Sequence, residues 1–145
     1  MVAAFWHVGL TVAEIKRSAT FYRDIVGMQE GEHQHSANEA FGRLVNNPGA
    51  TLEVVSLNLD GFTLQLVQYL KQGGVRLAVA HNNTGSPHLS FFVADADEKY
   101  QALVARGDVD ITSPIVPNQS GTIRSFYVAD PDGVPVEFVE RLAIV

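Results

Sequence analysis

The 145-residue chain has no cysteine, which removes disulfides, zinc–thiolate sites and a thiol nucleophile. Positive charge is also scarce: ten Lys and Arg stand against 16 Asp and Glu, a formal net charge of −6, and the ten are scattered. Nucleic acids and anionic membrane surfaces are gripped mainly through clusters of such cations, so neither is expected as a partner. No apolar run approaches the ~18 residues of a membrane span, and the first residues lack a basic segment followed by a long apolar core. The expected location is therefore cytoplasmic. What remains is a globular balance, 46% hydrophobic and 18% charged. That suffices for one core in a single domain over 1–145 and is too little for two independent enzyme domains.

The chain writes one phrase twice. Residues 6–28 read WHVGLTVAEIKRSATFYRDIVGM, and residues 87–107 read PHLSFFVADADEKYQALVARG. Each opens an apolar run with a histidine, meets an acidic residue seven places later, and closes an amphipathic stretch on glycine. His88 follows His7 by 81 residues. A second echo lies further on, NLDGFTLQLVQY at 58–69 and DPDGVPVEFVER at 130–141. Superposing the two Asp-Gly pairs sets Glu137 on Gln65. Such self-similarity marks a duplicated unit, with module 1 at about 1–71 and module 2 at about 86–145.

Each half reads as strand, helix, then further strands. Trp6–Val12 and His88–Val93 alternate in the manner of strands. Ile15, Ala19, Tyr22 and Val26 share one helical face that Gly27 ends, and Tyr100, Leu103 and Val104 share another that Gly107 ends. Asp95 with Glu98 makes a capping box. Thr51–Leu57 with Phe62–Tyr69, and Ile123–Val128 with Val134–Val139, read as hairpins joined across Asp-Gly. The stretches 30–50 and 72–85 read as loops or weak strands. The turn DPDG suits a three-residue loop, a register that sets Tyr127 opposite Glu137 on one sheet face. Applied to NLDG, the same register brings Glu53 onto Gln65's face, whereas a two-residue loop turns it away. His33, His35 and His81 fall in polar segments and are expected to be solvated, as is Glu140 beside Arg141.

Two βαβββ units opening on HVGLTVAEIKRSATFYRDIVGM and closing on FYVADPDGVPVEFVE resemble the vicinal oxygen chelate superfamily. Its members include glyoxalase I, methylmalonyl-CoA epimerase, extradiol dioxygenases, and fosfomycin- and bleomycin-resistance proteins. The resemblance covers nearly the whole chain. It implies an α+β fold in which two tandem βαβββ modules curl an eight-stranded mixed sheet around a metal-binding cleft. Carried over by position, the metal ligands are His7, Gln65, His88 and Glu137. Imidazole, amide and carboxylate donors of this kind suit one divalent ion, Zn, Ni, Co, Mn or Fe(II).

The resemblance implies a metal-dependent isomerase or lyase first, in which the ion chelates adjacent substrate oxygens and a carboxylate removes a proton beside a carbonyl. Glu137 is the candidate base, with Glu53 and Tyr127 as further catalytic candidates. A second implied activity is an Fe(II) extradiol dioxygenase using His7, His88 and Glu137, although the histidine that signature places shortly before Phe126 is absent from PNQSGTIR. A third is a drug-binding resistance protein, which the retention of all four ligand positions disfavours. The expected partners are a small molecule with adjacent oxygens and a second copy of the chain, forming a homodimer. Arg43, Arg124 and Lys71 are candidates to grip a substrate anion.

Overall fold

A computed structural model describes Met1 and residues 3–142. The residues fall into two compact units, Met1–Arg76 and Leu77–Val145.

Unit 1 runs β1 (Val8–Thr11), α1 (Ile15–Phe21), β2 (Gln29–Ser36), α2 (Glu39–Leu44), β3 (Thr51–Leu59) and β4 (Phe62–Lys71). The strands form one mixed sheet in the order β1-β4-β3-β2. Helix α1 starts where the Glu14 side chain accepts from Arg17 N, then widens into a π-helical turn over Tyr22–Val26, which ends at Gly27 with φ 91°. Only glycine holds that left-handed cap at low cost. The helix covers one sheet face. Leu64 and Leu66 of β4 are fully buried there beside Val55 and Leu57 of β3, and Gln68 Oε1 accepts from Ile15 N at 2.9 Å. Helix α2 lies in a stretch expected to be loop. Asn38 Oδ1 caps it, accepting from Phe41 N at 2.8 Å, and its six residues are too few to show a period.

Unit 2 runs β5 (Leu89–Phe92), α3 (Ala96–Arg106), β6 (Asp110–Ile111), β7 (Val116–Pro117), β8 (Ile123–Ala129) and β9 (Pro135–Arg141). Its sheet has the order β5-β9-β8-β6, with β7 also on β8. The α+β class holds, but where eight strands are expected the described residues form nine, in a four-stranded and a five-stranded sheet. The extra strand arises because the pairing partner of β8 is broken into two short pieces. Helix α3 is capped as expected, with Asp95 Oδ1 accepting from Glu98 N at 3.0 Å and Gly107 left-handed at φ 72°. It packs on Phe126, Val128, Val136 and Phe138, all nearly inaccessible, with the Tyr100 ring 5.1 Å from that of Phe126. Glu140 departs from its expected solvation. It lies on this helix-bearing face, where Oε2 accepts from Ala96 N at 2.7 Å and from Arg124 Nε at 2.8 Å.

The duplication is visible in the hydrogen-bond register. Gly9 pairs in parallel with Gln65, as Ser90 does with Glu137. Both hairpins also follow their turn chemistry. Asp60 and Gly61 carry φ of 46° and 79°, a two-residue type I′ turn that pairs Leu59 with Phe62. In DPDG, Gly133 N donates to Asp130 O, Asp130 N donates to Val134 O, and Gly133 has φ 90°, the expected three-residue loop. Buried Asp130 ties this turn together, its Oδ1 accepting from Asp132 N at 2.9 Å and Val134 N at 2.8 Å. Asp130→Ala strands two amides and is expected to lower unfolding stability by about 1–3 kcal/mol. A reduced urea midpoint with an unchanged slope checks this; an unmoved midpoint refutes it.

Candidate functional site

Glu137 stands on the sheet face of unit 2 turned away from α3, because its neighbours Val136 and Phe138 face the helix. Ser90 Oγ donates to Oε2 of its carboxylate at 2.7 Å from β5, and Tyr127 stands directly opposite in the register on β8. Burial raises the Tyr127 phenol above its usual pKa, and the neighbouring Glu137 adds to the rise. At neutral pH the phenol therefore keeps its proton.

His88, at the mouth of β5, has its ring centroid 6.2 Å from that of Tyr127. His81 also packs on Tyr127, edge-on at 4.5 Å and an interplanar angle of 86°. His81 was expected to be merely solvated. It is exposed, yet it belongs to a three-ring cluster, 6.3 Å from His88. Its loop is folded on itself, with Asn83 Nδ2 donating to Ala78 O at 3.0 Å and Ser86 N donating to Asn83 O. No periodic signal in 72–85 could have revealed this, since the partner lies 46 residues ahead on another strand.

Unit 1 presents the matching pair. Gln65 occupies the position of Glu137, and Ser56 stands opposite it where Tyr127 stands in unit 2. His7 precedes β1 and sets its ring against that of Trp6 at 4.5 Å. Its Nδ1 is buried and meets no hydrogen-bond partner among the described residues. A buried polar atom left this way is one that a bound water or ion would satisfy.

Glu53 does not join this set. The type I′ turn places it opposite Gln68, an odd number of residues from Ser56, and so on the α1 side of the sheet. There it lines a hollow of about 280 Å³ with Lys16, His33 and His35. It is thereby removed as a base acting with Gln65. The candidate anion grip Arg124 is likewise committed elsewhere, with Glu140 and Asp97 on the helix face. Among the described residues no three His, Cys, Asp or Glu side chains gather into a group that could hold a metal ion. No helix among them is long and apolar enough to cross a membrane.

Residues 4–138 match the family model described as Glyoxalase/Bleomycin resistance protein/Dioxygenase superfamily. The lactoylglutathione lyase of Haemophilus influenzae is 27% identical over 136 residues, 93% of this chain and 90% of that protein. Among solved structures, a glyoxalase family protein from Bacillus cereus superposes with a TM-score of 0.86 at 18% identity, covering 99% of this chain and 97% of the other. The fosfomycin resistance protein FosX of Listeria monocytogenes, complexed with Mn(II) and sulfate, superposes at 0.63 and 17% identity over 98% and 95%. At these identities the structural likeness speaks to the fold.

Proposed function

Since the chain belongs to the glyoxalase/bleomycin resistance protein/dioxygenase superfamily, we propose that it is a divalent-metal-dependent isomerase or lyase that moves a proton beside a substrate carbonyl. The observation that carries this is the doubled half-site. His7 with Gln65, and His88 with Glu137, occupy equivalent positions in the two units, the second members aligned by the same strand register. The unpartnered Nδ1 of His7 and the nitrogen and oxygen donors fit a borderline or hard divalent ion. Such an ion, when bound, polarises adjacent oxygens of the substrate and makes the neighbouring C–H more acidic.

The chain's own groups supply the rest. Glu137 receives the proton at its carboxylate. Ser90 fixes the orientation of that carboxylate from β5, with Tyr127 facing it from β8, so little reorganisation is needed when it reacts. Tyr127 serves as a positioning donor to Glu137, and His81 packs against its ring. The lyase relative from Haemophilus influenzae favours a hemithioacetal or a related 2-oxo compound as substrate.

We further propose a homodimer in which each cation site takes His7 and Gln65 from one copy and His88 and Glu137 from the other. Incubation of the Ni- or Zn-loaded protein in D2O with hemithioacetals and acyl-CoA thioesters tests the chemistry. Deuterium is expected beside the carbonyl of one of them. Its absence from the whole panel removes the isomerase reading.

One observation favours a second reading. The extradiol signature lacks its histidine before Phe126, but His81 brings an imidazole to Tyr127 from another segment. Oxygen-dependent catechol cleavage by the Fe(II)-loaded protein would select that reading.

A further inference from the structure

Along β9 the side chains alternate, Glu140 toward α3 and Glu137, Val139 and Arg141 toward the opposite face. On that face the parallel register sets Ser90 beside Glu137 and Phe92 beside the buried Val139. The Arg141 guanidinium lies over the Phe92 ring, 4.1 Å from its centroid. Phe92 is 64% exposed and Arg141 is exposed as well. The Phe92 ring therefore meets solvent and the Arg141 guanidinium rather than the core.

Arg141 also differs from three other arginines in its charge environment. Arg23 pairs with Asp24 and Glu30, Arg106 with Asp108, and Arg124 with Glu140 and Asp97. Arg141 has no carboxylate partner among the described residues, in a chain whose net charge is −6. Stacking fixes the guanidinium plane and leaves its N–H edge for a planar or tetrahedral oxyanion, which Arg meets with paired hydrogen bonds.

We infer that Phe92 and Arg141 form an anion-binding subsite on the face that carries Glu137, which holds the carboxylate or phosphate of a substrate whose reactive carbonyl lies at Glu137. The placement of the carbonyl rests on the isomerase reading; the subsite itself does not. Four residues of strand separate Glu137 from Arg141, about 13 Å at ~3.3 Å per residue. A small 2-oxo acid is too short to reach both. The substrate class is therefore an elongated organic anion, such as a thiol adduct or thioester with a charged tail.

Two measurements test this. The first is an NMR titration of the wild-type protein with phenyl phosphate, with uncharged benzyl alcohol as the control. Saturable shifts at the Arg141 side-chain N–H and the Phe92 ring are expected for phenyl phosphate alone. Arg141→Gln should weaken that binding about tenfold or more, and Arg141→Lys should restore part of it. Unchanged affinity in Arg141→Gln, or equal shifts from benzyl alcohol, overturns the subsite.

The second measurement compares turnover of the methylglyoxal hemithioacetals of glutathione and of 2-mercaptoethanol. Arg141→Gln should shrink the preference for the charged adduct, as a ratio of kcat/KM, by about tenfold. An unchanged ratio shows that Arg141 does not select the anion and overturns the inference while the isomerase reading stands. If the wild type turns over neither adduct nor any thioester, the isomerase reading fails alone, and a phenyl phosphate affinity lost in Arg141→Gln still supports the subsite.

Discussion

Glu137→Gln is expected to lower kcat by about 10²–10⁴-fold, the range over which a positioned general base acts. The substitution is nearly isosteric. The Gln amide oxygen can still accept from Ser90 Oγ, which holds the carboxylate in place. The thermal midpoint should therefore move little, and a kinetic loss of this size would belong to the chemistry. The informative comparison is His81→Ala. On sequence grounds His81 is a solvated side chain and Glu137 the candidate base, so only the Glu137 substitution should matter. The edge-on packing of His81 against Tyr127 now implies a loss of about two- to tenfold, through poorer placement of the tyrosine donor. Steady-state kinetics of the two variants side by side decide the matter. Comparable losses in both, or a Glu137→Gln protein retaining more than about a tenth of the wild-type rate, would put the reacting carboxylate elsewhere.

What could be read from the sequence was whatever repeats or has a turn chemistry of its own. The echo between WHVGLTV and PHLSFFV, and the two Asp-Gly pairs, located β1, β5 and both hairpins. Asp-Pro-Asp-Gly fixed the pairing of Tyr127 with Glu137 because that loop has one favoured length. The same logic applied to Asn-Leu-Asp-Gly misplaced Glu53. Without the proline, Asp60-Gly61 adopts the two-residue turn that this dipeptide favours, and a difference of one residue reverses the face. Asp-Gly alone was the signal that could have decided it.

Contacts made across the sheet were out of reach. Glu140 reads as a surface charge beside Arg141, and only the pairing of β8 with β9 brings Arg124 to it. Arg141 looks like its natural partner in sequence but projects to the other face. His81 belongs to a segment with no period, and α2 is a six-residue helix whose one local signal is its cap, Asn38. The fold was legible because it is periodic and repeated. The candidate site was legible only where it coincides with the repeat.

The proposed sharing of each site between two chains has a large consequence. His7→Ala and Glu137→Ala proteins should each be inactive, because every site in either homodimer lacks one ligand. Let a heterodimer be formed from one chain of each. One site then collects both lesions. The other takes His7 and Gln65 from the Glu137→Ala chain and His88 and Glu137 from the His7→Ala chain, and is intact. Two inactive proteins should thus combine into an active one, whereas sites closed within a chain could never be rescued.

The measurement that bears most directly on the account is the metal content of that heterodimer, isolated through two different affinity tags and dialysed against excess Ni or Zn. The account predicts about one tightly held ion per heterodimer, against about two in the wild type and none in either parent, with close to half the wild-type activity. A heterodimer as empty and inactive as its parents would contradict it, as would parents that bind the ion as tightly as the wild type.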